Sequence, residues 1–348
     1  MSKQVGIDLR CLPADGSEGA GVAHASRELW SALIEASDAF NVSLHGFVPR
    51  GAHVDQRSTI VWLNDSSGGE LRRALRTHPV DAMFIAHGAA PLGLSVPSYP
   101  WVHDLAIFSH PEWFPQPWLK RQLTTRLFLR GLRRAPMVFA VSEDTKRQVE
   151  KIAHVSPEWI TVTLEGVRQK TLGIQSQTPY VLILGTVEPR KNIPFIVSLW
   201  PEVCRQFGQT VNLVIAGKEG WGNVPIDHGQ PGLIRQENVT DEEHDRLIAQ
   251  ASIVLVPSQH EGFGRTALEA VSFGVPTIVS DRGALPEVVG EAGLVIPLEQ
   301  PAEWAKNIVA ILKNREIAQQ LRQDGLERAS QFSWDQTARI ILAKMAVG

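Results

Sequence analysis

Short apolar runs alternate along this chain with longer stretches of helical periodicity. That alternation is the pattern of parallel α/β sheets, in which strands are joined through crossover helices. In the first half the runs lie at residues 5–9, 42–48, 60–63, 82–86 and 137–141, and in the second at 180–184, 211–216, 253–256, 277–279 and 294–296. A polar gap at 168–179 separates the two series. Its Gln, Ser, Thr and Gly content, without apolar periodicity, marks it as a linker. With 348 residues, 43% of them hydrophobic, the chain is long enough for two domains that each bury a core. The expectation is an α/β molecule of two doubly wound, Rossmann-like domains facing a cleft, with ligands gathered beyond the carboxyl ends of the strands.

Composition narrows the function classes. A formal charge of −3 argues against nucleic-acid binding. Cys11 and Cys204 are the only cysteines and stand far apart in sequence, so a disulfide framework is not expected and a reducing compartment is. No apolar run approaches the length needed to span a bilayer, and residues 1–4 lead straight into a strand-like segment. A cytoplasmic protein is expected.

Chemistry concentrates around two carboxylates, Glu261 and Glu269, with seven residues between them. The apolar run 253–256 precedes them, and helix formers follow from about Arg265. Gly262 and Gly264 therefore occupy a strand-to-helix turn, where the unpaired N–H groups of a helix start suit an anionic ligand. With Glu261 in the turn and Glu269 in the second helical turn, the carboxylates are separated by roughly 10 Å, at about 1.5 Å rise per residue. That span suits gripping two ends of one extended ligand and is too long for a shared proton. A rival reading is a dinucleotide fingerprint, since Gly262, Gly264 and Ala267 satisfy Gly-x-Gly-x-x-Ala and Asp281 follows a second apolar strand. Five residues between the strand and the first glycine weigh against it, as does the acidic Glu261 that a pyrophosphate would meet.

The segment Glu261 Gly262 Phe263 Gly264, continued by Leu268 Glu269 Ala270 and the 274–280 and 283–289 stretches, resembles the signature of the retaining glycosyltransferases of family 4. The resemblance covers nearly all of residues 178–335 and touches the first half only in patches. It implies the GT-B fold: an N-terminal acceptor-binding domain over 1–168, a C-terminal donor-binding domain over 178–331, and a closing helix within 332–348 that crosses back to the first domain. In that family the first Glu contacts the donor hexose and the second the nucleotide ribose, roles that fall here to Glu261 and Glu269. Gly262, Phe263 and Gly264 would line the donor. The family commonly places Leu-Pro after the second Gly, whereas Arg265 and Thr266 stand here.

A second cluster follows the run 180–184. Pro189 ends an extended segment, and Arg190 and Lys191 then stand at the opening of a helix, where the macrodipole disfavours positive charge. An anion should compensate them: a ligand, or a protein group, of which Glu188 is the nearest. The resemblance assigns the pair to the diphosphate of a nucleotide sugar. Fixed cations that stabilise charge arriving on a leaving diphosphate act most strongly in the transition state and can stand in for a metal. The chain contains no Asp-x-Asp, so no metal and no other cofactor is expected. Gly217 matches the family's turn glycine near the nucleotide, and residues 234–236 match the region facing the base without selecting it. The run 185–192 is similar to that of bacterial mannosyltransferases of surface polysaccharide synthesis, which implies GDP-mannose as donor and a glycan or lipid-linked saccharide as acceptor.

In the first half, Gly21 resembles the family's glycine loop approaching the donor phosphate, and His103, before Asp104, matches the family's His-Asp. His103 would then hydrogen-bond a donor hydroxyl. Between residues 113 and 134 stand six cations and no acid, with Arg126, Arg130, Arg133 and Arg134 on one helical face and Leu127, Phe128, Leu129 and Leu132 on the other. Such a helix either lies on an anionic membrane or packs its apolar face on a sheet; Trp113, Phe114 and Trp118 favour the membrane. Two rival functions share the fold, a non-hydrolysing nucleotide-sugar epimerase and a catalytically silent binding subunit.

Overall fold

The structure is a computed structural model describing residues 2–17, 19, 21–88, 90–91, 93–114, 117–168, 178–222, 224–226 and 229–347, with backbone alone for 118–120 and 347. Of the linker expected at 168–179, residues 169–177 lie outside the described residues. Unit 1 comprises Met1–Phe108, Gln116–Gly166 and Ser333–Gly348; unit 2 comprises Ser109–Pro115 and Val167–Phe332.

Unit 1 is built on strands β1 (Lys3–Asp8), β2 (Val42–Pro49), β3 (Thr59–Leu63), β4 (Ala82–Ile85), β5 (Ser98–Val102), β6 (Val138–Ala140) and β7 (Ile160–Val162), ordered β3-β2-β1-β4-β5-β6-β7. All pairings are parallel. Its helices are α1 (Val22–Ser37), α2 (Gly68–Thr77), α3 (Ala106–Ser109), α4 (Trp118–Arg134) and α5 (Glu143–Gln148). Glycine is required at position 6 in β1, because a Cβ there would fall 2.2 Å from the Met83 sulfur of β4.

Unit 2 carries β8 (Tyr180–Leu184), β9 (Asn212–Ala216), β10 (Leu233–Gln236), β11 (Ile253–Val256), β12 (Thr277–Val279) and β13 (Leu294–Val295), in parallel order β10-β9-β8-β11-β12-β13. Its helices are α6 (Ile193–Phe207), α7 (Asp241–Gln250), α8 (Arg265–Ser272), α9 (Leu285–Val289), α10 (Pro301–Lys313) and α11 (Arg315–Ala329). The continuous apolar run of β8 is explained by burial on both faces. Val181 and Ile183 join a core with Trp200 and Trp304, while Tyr180, Leu182 and Leu184 join another with Ala267 and Leu285. Each such fully buried large side chain contributes on the order of 2 kcal/mol.

Both sheets follow the doubly wound order, β7 being an added edge in unit 1. The order reverses between β1 and β4 in unit 1 and between β8 and β11 in unit 2, and a crevice opens at such switch points beyond the strand carboxyl ends. The expected α/β class with two Rossmann-type sheets is therefore present. Helix α12 (Trp334–Val347) belongs to unit 1: Trp334 Nε1 donates to Glu28 Oε2 of α1 at 2.7 Å, and Ala338, Ile341, Leu342 and Met345 are fully buried.

Several readings need correction. Strands β5, β7 and β10 lie outside the expected apolar runs. β5 is internal and buried, but Ser98 and Pro100 interrupt its apolar residues. β7 and β10 are edge strands flanked on one side, β10 exposing Ile234 at 44%, so neither requires an apolar run. Of the two outcomes expected for residues 113–134, packing on the core is the one seen for the apolar face of α4. Leu132 is fully buried in the unit 1 core with Phe128 and Leu129 packed against it, which occupies the apolar face of α4. Arg126, Arg130, Arg133 and Arg134 are exposed. Trp113 and Phe114 precede α4 and belong to unit 2.

Candidate functional site

At the switch point of unit 2, β8 and β11 pair through Ile253↔Val181 and Val254↔Leu182, so the loops leaving their carboxyl ends emerge side by side. Gln259 N–H donates to the Arg190 carbonyl at 2.8 Å and ties one loop to the other. The first loop starts at Gly185, against which Gly217 packs so closely, with φ of 132°, that a Cβ would stand 2.2 Å from the Gly185 carbonyl oxygen. Arg190 and Lys191 do not open the helix as expected. They sit in a 3-10 turn, Pro189–Lys191, and Asn192 in left-handed conformation separates them from α6.

The two cations converge on one acid. Arg190 Nη1 donates to Glu261 Oε2 at 2.6 Å and Lys191 Nζ to Glu261 Oε1 at 2.7 Å. Ser258 Oγ adds a third bond to Glu261 Oε1 at 2.8 Å, and Ser280 Oγ braces the loop through the Ser258 carbonyl at 2.5 Å. Arg190 also donates through Nε to the buried Glu188 at 2.9 Å and through Nη1 to the His260 carbonyl at 2.9 Å. The anion required by the cations is thus protein, chiefly Glu261 with Glu188 second. Burial opposes ionisation of Glu261, but Arg190, Lys191 and the hydrogen bonds from Lys191 and Ser258 outweigh it and hold the carboxyl well below the usual carboxylate range. The loop around Glu261 leaves no room beside it: a Cβ on Gly283 would meet the Glu261 carbonyl oxygen at 2.2 Å.

Glu261 lies in the loop and Glu269 in the second turn of α8, as the sequence implies. Glu269 is held by Arg265 Nη2 at 3.1 Å and lies 3.5 Å from His244 Nε2. A capping box of Thr240 and Glu243 fixes the start of α7 and thereby places His244. Gly264, at φ 104°, caps α8 where a Cβ would stand 2.8 Å from Leu285. Gly262 precedes Phe263, whose ring is buried edge-on to Phe332, so Phe263 offers a ligand its backbone alone.

In unit 1, His103 follows β5 with both ring nitrogens engaged. Nε2 lies 2.9 Å from the Ala86 carbonyl and Nδ1 3.2 Å from Glu165 Oε1. A carbonyl only accepts, so Nε2 is the donor to Ala86, and Nδ1 faces the Glu165 carboxylate. Gly21 caps α1 at φ 52° and ψ −108°, a glycine conformation with no atom within 4 Å of a Cβ position. At the unit 1 switch point the fully buried Asp8 accepts from Arg10 at 2.7 Å and lies 3.3 Å from His87, an ion-pair distance poorly aimed for a hydrogen bond. Burial of Asp8 is outweighed by His87 and Arg10, which hold its pKa down to about 2. The sequence reading missed Ser258, His244, Asp8 and Glu165. A polar residue closing an apolar run was the available signal for Asp8 and Ser258; the other two act through tertiary contacts that no local pattern encodes.

Residues 167–328 match the family described as glycosyl transferases group 1. The O-antigen chain mannosyltransferase B of Escherichia coli is 30% identical over 258 residues, 67% of this chain and 66% of that protein. A D-inositol 3-phosphate glycosyltransferase of Nocardioides sp. is 38% identical over 241 residues, 59% of this chain and 52% of its own length. The chain thus spans less than two thirds of these curated relatives. Among solved structures, a sucrose-phosphate synthase of Thermosynechococcus elongatus superposes with a TM-score of 0.74 at 16% identity, covering 99% of this chain and 100% of that one. Anabaena Alr3699/HepE in complex with UDP-glucose gives 0.70 at 15% identity with the same coverage. At such identities these likenesses establish the fold, which is that of GT-B glycosyltransferases.

Proposed function

We propose, from the premise that residues 167–328 of this chain belong to glycosyl transferases group 1, that the chain is a retaining, metal-independent hexosyltransferase. It moves a hexosyl group, mannosyl in first place, from a nucleotide sugar to a glycan or lipid-linked saccharide. GDP-mannose is the favoured donor, supported by the likeness to an O-antigen mannosyltransferase. The observation that carries this reading is the meeting of Arg190 and Lys191 on Glu261 at the unit 2 switch point.

In the resting ion cluster the cations are held ready and neutralised. A donor diphosphate takes over Arg190 and Lys191, and Glu261, relieved of its partners, accepts from a hexose hydroxyl. Glu269, leaving Arg265 and His244, accepts from the ribose hydroxyls. As the bond from the anomeric carbon to the phosphate oxygen breaks, the electron pair stays on the diphosphate, where the two cations stabilise it. The acceptor oxygen bonds the anomeric carbon on the face the leaving group quits, and its proton passes to the departing phosphate oxygen. No protein nucleophile is needed. Unit 2 holds the donor, and unit 1 takes the part of the acceptor that receives the hexose; by the family resemblance Gly21 serves the donor phosphate and His103 a donor hydroxyl once its Ala86 or Glu165 bond opens. The exposed arginines of α4 draw unit 1 to an anionic membrane by charge.

A thermal-shift panel of GDP, UDP, ADP and their sugars, without metal, tests the donor site. Ligands that bind the folded state raise Tm, and GDP and GDP-mannose are expected to raise it most. No shift with any of them would remove the donor assignment.

A further inference from the structure

The segment Ser109–Pro115 contributes to unit 2 a group of aromatic rings that the donor chemistry leaves unused. His110 stacks on Trp113 with centroids 4.0 Å apart and planes 12° from parallel. Phe114 stacks on Trp221 at 5.6 Å and 30°. Trp221 Nε1 donates to the Trp113 carbonyl at 2.7 Å, which fixes the indole, yet Trp221 keeps 37% of its surface exposed. Half-buried stacked rings that end on an exposed indole held in place by a hydrogen bond are a costly arrangement for a surface without a ligand.

Two contacts place this group at the margin of the ion cluster. On one side the His110 ring lies 6.4 Å from that of His260, the residue next to Glu261 whose carbonyl binds Arg190. On the other, the loop carrying Trp221 is pinned to the segment that runs into Arg190. Gly220 N–H donates to the Val187 carbonyl at 2.9 Å, Val187 N–H to the Lys218 carbonyl at 2.9 Å, and Gly222 packs on Pro189. The rings therefore adjoin the two loops that hold Glu261 and Arg190.

We infer that His110, Trp113, Phe114 and Trp221 form an aromatic platform that takes a sugar ring of the acceptor, an assignment resting on the transferase reading. A pyranose presents carbon-bound hydrogens on its faces and hydroxyls on its rim. Its faces pack on exposed aromatic rings while the rim hydroxyls need ionic or polar partners. Candidate partners are Glu112, 3.2 Å from His110 Nδ1 with 62% of its side chain exposed, and Glu219, two residues before Trp221, which lies 3.4 Å from Arg235 with 63% exposed. The same two carboxylates repel an anionic lipid surface, which argues for the sugar over a membrane as occupant.

The probes are α-linked mannobiose and methyl α-mannoside, titrated by tryptophan fluorescence into the full chain with and without GDP. Wild type is expected to give saturable binding of mannobiose. Trp221→Ala and Phe114→Ala should weaken it at least tenfold, Trp221→Phe less than threefold, and all three should keep the GDP-induced rise in Tm. Absence of sugar binding by wild type, or equal binding by Trp221→Ala, overturns the platform. So does a Trp221→Ala variant that loses the GDP shift, which would make the rings part of the nucleotide site, or one that instead loses affinity for phosphatidylglycerol vesicles. A wild type that binds mannobiose but no nucleotide would overturn the transferase reading and leave the platform standing.

Discussion

At the scale of single residues, Glu261 has two opposed jobs. In the resting protein the buried Glu261 neutralises Arg190 and Lys191, which are partly buried beside it, and removing one partner from such a cluster typically costs up to about 3–5 kcal/mol. During transfer it must give those cations up to the diphosphate. Glu261→Gln separates the two demands, since the amide keeps the shape and loses the charge. The variant is expected to unfold at lower temperature than wild type, yet to gain more Tm than wild type on adding inorganic pyrophosphate, because nothing now competes for the cations. Transfer should fall by about 10²-fold, the usual cost of a lost electrostatic contact at a reacting centre. A pyrophosphate shift equal in both proteins would mean that Arg190 and Lys191 are structural. Arg265 and His244 on Glu269 repeat the motif of an acid held by cations until a ligand arrives.

At the scale of elements, α4 is divided by its packing. Its apolar stripe is spent on the core through Leu132, Phe128 and Leu129, leaving an arginine face and Leu123, 59% exposed. A helix so placed can approach a membrane by charge and not by insertion. Binding to vesicles rich in phosphatidylglycerol is therefore expected at low salt and lost by about 0.5 M salt, where the Debye length falls to a few ångströms. Exchanging Arg126, Arg130 and Arg134 for Gln should abolish it. Vesicle binding that survives both salt and these exchanges would point to inserted side chains and refute the charge mechanism.

At the scale of the molecule, the chain's last helix belongs to its first unit. Ile341, Leu342 and Met345 of α12 are fully buried, and Lys3 Nζ at the start of β1 donates to the Met345 carbonyl at 2.7 Å. Unit 1 therefore completes its core only once α12 has been made. Leu342→Ala, at a site more than 300 residues from β1, should cost unit 1 about 2–5 kcal/mol. Thermal unfolding should show this as a fall of several degrees, with the GDP shift retained. A fall below one degree would mean that α12 adds little to the unit.

The amino-acid sequence by itself determined the parallel α/β class, most central strands, the glycine turn around Glu261 and the candidate pairs Arg190–Lys191 and Glu261–Glu269. These are legible because they rest on local rules: a strand buried on both faces must be continuously apolar, and a turn at positive φ or under close approach must be glycine. Only the tertiary structure decided which charges meet. Glu261 stands about 70 residues from Arg190 and Lys191, and pairing of β8 with β11 brings them within hydrogen-bond reach. The same holds for His103 with Glu165, Glu269 with His244, and Trp113 and Phe114 with Trp221. Such contacts depend on sheet order, which is set by the sum of packing across the unit and leaves no mark at either partner's place in the chain.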